Sequence, residues 1–114
     1  MTMLNFGRDI QGMNAYAPQL SDTMYSASLL SGTDDDLTVP SSHANWIAVF
    51  SYQPGAAFWV SVNDTANNPA GATFAATTSF LLPAQLQVKA GDTISVQNNA
   101  ATTQDVGVAL YAIP

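Results

Sequence analysis

The sequence predicts an all-β domain: a jelly-roll-like β-sandwich with an extended N-terminal arm. Three observations carry this expectation. Only 9% of the 114 residues are charged, against about 25% in ordinary soluble domains. The polar positions go to Ser, Thr, Asn and Gln, which suit strands and turns rather than exposed helix faces. Short runs of β-branched and aromatic residues recur at roughly ten-residue spacing, with Gly, Pro, Asn or Asp between them.

The elements follow in order. Residues 1–22 show neither helical nor strand periodicity, and Gly7, Gly12, Asn14 and Pro18 break any regular pattern. The stretch reads either as a disordered terminus or, because Leu4, Phe6, Ile10, Met13 and Tyr16 are too apolar for a solvated tail, as an arm that lies on a neighbour. Residues 23–114 then form the sandwich. Residues 24–30 make a strand, and a loop spans residues 31–36, including Asp34, Asp35 and Asp36. Leu37, Thr38 and Val39 form a short strand that Pro40 ends, because proline cannot donate to a ladder.

Residues 45–53 and 57–63 are two aromatic and β-branched runs joined by Pro54-Gly55. Proline fits the second position of a type II turn and glycine the third, where φ is positive, so the pair is expected to be a hairpin. Trp46, Ala48, Phe50 and Tyr52 share one face, and Ile47 and Val49 the other. Phe58, Val60 and Val62 alternate with Trp59, Ser61 and Asn63. Apolar residues on both faces predict cover on both sides, one side by the core and the other by a partner.

Residues 64–71 are turn-rich. Residues 73–82 read as one strand, or a strand and a bend, closed by Pro83. Residues 85–89 and 92–97, joined through Ala90-Gly91, are expected to form a second hairpin. Its buried face is Leu86, Val88, Ile94 and Val96; its wet face is Gln85, Gln87, Thr93, Ser95 and Gln97. Val106, Val108 and Leu110 alternate in a last strand.

Composition narrows the function classes. There is no cysteine, which removes disulfides, thiolate metal sites and thiol catalysis. A net charge of −6 with only Arg8 and Lys89 as cations cannot neutralise a run of phosphates, so direct nucleic-acid contact and anionic membrane surfaces are not expected. No apolar run approaches the roughly 20 residues of a membrane span. The first residues lack the pattern of a secretory leader, which points to synthesis in a cytoplasm.

Candidate chemistry is sparse. His43 is the one histidine, in a Ser-Ser-His-Ala stretch that reads as a loop. Asp34, Asp35 and Asp36 lack the spaced ligands and fixed glycine of a dedicated calcium loop. Asn63-Asp64-Thr65 matches a glycosylation sequon, expected to be idle without a secretory leader. No metal, cofactor or catalytic residue is expected, and the chain is not expected to be an enzyme.

The order Leu37-Thr38-Val39-Pro40, Asn45-Trp46-Ile47-Ala48-Val49-Phe50-Ser51, Ala57-Phe58-Trp59-Val60-Ser61-Val62, the Leu86 to Val96 segment and a terminal Asp105-Val106-Gly107-Val108-Ala109-Leu110-Tyr111 resembles the small jelly-roll virion proteins of tailed double-stranded-DNA bacteriophages. It is most similar to the decoration, cement or stapling proteins of their capsids. The resemblance covers roughly residues 37–114 and lies in strand pattern and composition. It implies a structural virion protein on the capsid exterior that binds the major capsid protein across subunit seams. It also implies self-association, as a homodimer in first place and a trimer in second.

Few long charged side chains lower the entropy and desolvation cost of covering such a surface. Expected partner contacts are Phe6, Ile10, Met13 and Tyr16 of the arm, and Trp59. The competing class is a receptor- or carbohydrate-binding β-sandwich module of a tail fibre or lectin-like protein. A small hydrolase on the same scaffold comes third.

Overall fold

The computed structural model describes residues 20–114. These form eight strands and no helix: β1 Met24–Leu29, β2 Asp34–Thr38, β3 Asn45–Tyr52, β4 Phe58–Val62, β5 Phe80–Leu81, β6 Gln85–Lys89, β7 Thr93–Asn98 and β8 Gln104–Ile113. They build two four-stranded antiparallel sheets, ordered β1-β8-β3-β6 and β2-β7-β4-β5. Eight strands wound into two sheets in this order are a jelly roll. The arm residues Phe6, Ile10, Met13 and Tyr16 lie outside the described residues.

The core lies between the sheets. Trp46, Ala48 and Phe50 of β3, with Val106, Val108, Leu110 and Ala112 of β8, face Phe58 and Val60 of β4 and Ile94 and Val96 of β7. Each set follows the period of two that strand geometry imposes. Phe50, Tyr52 and Phe58 stack in series, with ring centroids 6.2 and 5.9 Å apart, and so join the two layers through aromatic contact. Trp46 is fully buried, and its indole Nε1 donates to the His43 carbonyl oxygen at 3.0 Å.

Both expected hairpins are corners. β3 pairs with β8 and β6, whereas β4 pairs with β7 and β5; β6 and β7 also sit in different sheets. The turns themselves form as expected. Ala56 N–H donates to the Gln53 carbonyl at 3.0 Å around Gly55 at φ 78°, and Asp92 N–H donates to the Lys89 carbonyl at 3.1 Å around Gly91 at φ 81°. What differs is where the chain goes next. In a hairpin the apolar residues lie side by side, while at a sandwich corner they face each other across about 10 Å. The alternation is the same in both. Among the described residues, β4 and β5 are the one consecutive pair hydrogen-bonded to each other.

Three other expectations are corrected. Asp34, Asp35 and Asp36 are not a loop: they begin β2, an edge strand paired with β7 on one side only, so extended backbone still leaves the carboxylates in water. Residues 73–82 are strand only at Phe80–Leu81. The wet face of β7 is covered, since Ser95 is buried and Gln97 half-buried. Residues 64–79 pack over it through hydroxyl bonds. Ala66 N–H donates to Ser95 Oγ at 3.0 Å, and Asn67 N–H to Ser79 Oγ at 3.0 Å. Ser61 Oγ donates to Thr78 Oγ1 at 3.1 Å, which donates to Asp64 Oδ2 at 2.9 Å.

Candidate functional site

The covering loop, β5 and the turn into β6 carry exposed apolar side chains. No charged residue occurs from Thr65 to Val88. Within that span Phe74 is fully exposed, Phe80 is 66% exposed, and Leu81 and Leu82 are 43% and 38% exposed. Trp59 sits beside them. It is half-buried on the outward face of β4, directly opposite Leu81 on one side and Gln97 on the other. Its indole floors a recess of about 560 Å³ walled by residues 67–77, Phe74 among them.

The backbone is strained at one of these residues. Leu82 has φ 47°, a left-handed conformation that costs an L-residue roughly 1–2 kcal/mol. It is also the residue before Pro83, a position that ordinarily prefers extended backbone. Two hydrogen bonds keep it there. Leu82 N–H donates to the Phe58 carbonyl at 2.9 Å, and the Tyr52 hydroxyl donates to the Pro83 carbonyl at 2.5 Å. Strained backbone of this kind persists where the surroundings over-determine it and often marks a working surface.

The residues considered for chemistry do not converge. Asp34, Asp35 and Asp36 alternate faces along β2, so their carboxylates diverge. The His43 ring stands edge-on to Trp46, with centroids 5.8 Å apart. Among the described residues no three His, Asp or Glu side chains gather as a metal ion requires. Asp92 belongs to a corner: it accepts from Lys89 N–H at 2.8 Å and from Asn63 Nδ2 at 3.1 Å, and these bonds hold its carboxyl below its ordinary value.

Of the five residues expected to touch a partner, Trp59 alone is described, and it stands beside these apolar side chains. Phe74, Phe80, Leu81 and Leu82 were not singled out by sequence reasoning. Their signal was present: Phe80-Leu81-Leu82 breaks the alternation of a one-sided strand inside a long charge-free run. No protein family, curated protein or solved structure matches this chain. A functional reading therefore stands on the surface itself.

Proposed function

We propose that this protein is a structural virion component that binds the outside of a phage capsid and stabilises contacts between major capsid subunits. The observation that carries it is the group of exposed Phe74, Phe80, Leu81 and Leu82 with half-buried Trp59, in a long uncharged stretch whose backbone is strained at Leu82. Large apolar side chains exposed together in one region are usual at protein interfaces and uncommon on surfaces that stay wet. Aromatic anchors flanked by polar loop residues also match the anatomy of an interface core and rim. The arm residues Phe6, Ile10, Met13 and Tyr16 add contacts on the capsid, and a two-fold homodimer suits the local symmetry of a lattice.

Co-sedimentation with undecorated capsids tests this reading. The full chain pellets with particles at a fixed copy number, and Phe80→Ser with Leu81→Ser reduces the bound fraction at least ten-fold without lowering the melting temperature. Undiminished binding by that variant refutes the role of the surface. Deleting residues 1–18 weakens binding if the arm contributes; unchanged affinity removes the arm from the proposal.

A second reading, carbohydrate or receptor binding, draws on the recess over Trp59. Its indole can stack on a sugar face, and Asn67, Asn68, Thr73 and Thr77 on the walls offer donors and acceptors. Saturable glycan binding lost in Trp59→Ala, without co-sedimentation, would favour it.

A further inference from the structure

Among the described residues, a second apolar surface lies on the opposite side of the sandwich, between the edge strands β1 and β2. A groove of about 160 Å³ runs between them, lined by Tyr25 and Ala27 of β1, Leu37 of β2, and the core residues Val96, Val106 and Val108. Those three core valines keep 6–7% of their surface in solvent, whereas Trp46, Phe58 and Leu110 keep none. Among the described residues, these three core side chains are reached by solvent through the groove.

The two lips of the groove differ. β2 carries Asp34, Asp35 and Asp36 on its free edge, the kind of charge that keeps an edge strand from pairing. β1 is six residues long, Met-Tyr-Ser-Ala-Ser-Leu, with no charge and no proline. Its pairing with β8 sets which groups are free. Leu110 N–H donates to the Thr23 carbonyl at 2.8 Å, which makes Thr23–Leu110 a hydrogen-bonded pair in the register that continues as Met24–Ala109 and Tyr25–Val108. Hydrogen-bonded and open pairs alternate in an antiparallel ladder. The N–H and C=O groups of Met24, Ser26 and Ser28 therefore point away from β8, along the open edge. Tyr25, Ala27 and Leu29 turn their side chains into the groove.

We infer that β1 accepts an extended segment of another protein chain by strand addition. The segment carries apolar side chains at alternate positions, with a lysine or arginine among them. Main-chain bonds to Met24, Ser26 and Ser28 supply affinity, and the alternate side chains supply fit. The inward apolar groups close the gap over Val96, Val106 and Val108. The inward cation lays its alkyl stem on the groove and its head against Asp35, which shares the inward face of β2 with Leu37. A second copy of this chain is the wrong occupant. Antiparallel β1–β1 pairing about a two-fold axis would abut the two β2 edges and set three aspartates against three.

The test uses the full chain and two seven-residue peptides, Thr-Val-Thr-Lys-Thr-Val-Thr and the same peptide with Glu in place of Lys. Hydrogen exchange read by NMR follows the amides of Met24, Ser26 and Ser28 while affinity is titrated. The lysine peptide slows exchange at those three amides and binds at least ten-fold more tightly than the glutamate peptide, and added salt narrows the difference. Ser26→Pro with Ser28→Pro removes two outward donors, leaves the β1–β8 ladder intact and abolishes binding.

Equal binding of both peptides, binding of neither, or binding unaffected by the prolines overturns the inference. Protection of the three amides in the free protein also overturns it, pointing to a second copy if it depends on protein concentration and to the chain itself if it does not. Should the proline variant fail to fold, the contrast between the peptides still decides.

Discussion

Ser51 on β3 stands over Gly107 on the neighbouring β8 so closely that a Cβ on Gly107 would lie 2.6 Å from its Oγ. The two residues are directly opposite in the register, so the approach follows from strand pairing. Gly107→Ala is expected to destabilise the fold by about 1 kcal/mol, at the low end of overpacking costs because the hydroxyl can rotate aside. Ser51→Ala in the same chain should restore most of that loss, since the next contacts stand at 3.7 and 3.9 Å. Thermal melts of the two single variants and the double variant measure the coupling.

The Tyr52–Pro83 bond predicts an alkaline effect. Burial raises the Tyr52 phenol above its ordinary value of 10.0. A folded-state value above the unfolded one contributes stability below pH 10, and that contribution is lost as pH rises further. Tyr52→Phe should cost about 1 kcal/mol at neutral pH and flatten the decline above pH 10. Urea titrations between pH 8 and about 11 test both parts.

Asp92 gives the opposite sign. Its carboxyl is held low by the Lys89 amide and the Asn63 side chain, so its contribution is present above the unfolded value near 3.8 and is lost as pH falls through the lower folded one. Asp92→Asn should lower stability at neutral pH and reduce the acid dependence below pH 4. Denaturant midpoints of the two proteins across that range should converge on acidification.

Core and surface aromatics should separate cleanly. Trp46→Ala removes a fully buried side chain and is expected to cost roughly 3–5 kcal/mol. Phe74→Ala removes one wholly in water and should shift stability by less than about 0.5 kcal/mol. A large loss in the second variant would mean that Phe74 packs somewhere in the free protein.

Fold class was legible because composition and period act locally. The faces of β3 and β4 could be read from Trp46, Ala48, Phe50, Phe58 and Val60 without knowing their partners. Partnership was not legible at the corners. Pro54-Gly55 and Ala90-Gly91 specify a turn, while pairing depends on β8, whose residues lie far along the chain. The aspartates of β2 misled for a related reason: an edge strand needs backbone pairing on one side only, so poor strand formers can occupy it when β7 supplies the ladder. At the candidate site, Trp59 stood out as an aromatic on the polar side of an alternating run. Phe80 and Leu81 did not, because their exposure comes from lying on a short edge strand, a place set by tertiary pairing with β4.

The sheet order has a consequence for biosynthesis. β8 is flanked by β1 and β3, so both strands wait for β8, which follows them in the chain, before either ladder on β8 can close. No N-terminal portion ending before Gln104 can assemble that sheet, and the exposed strands must be held apart until then. Folding should therefore wait for β8 and be slow, as long-range strand pairing dictates. A nascent chain stalled short of β8 would remain protease-sensitive throughout.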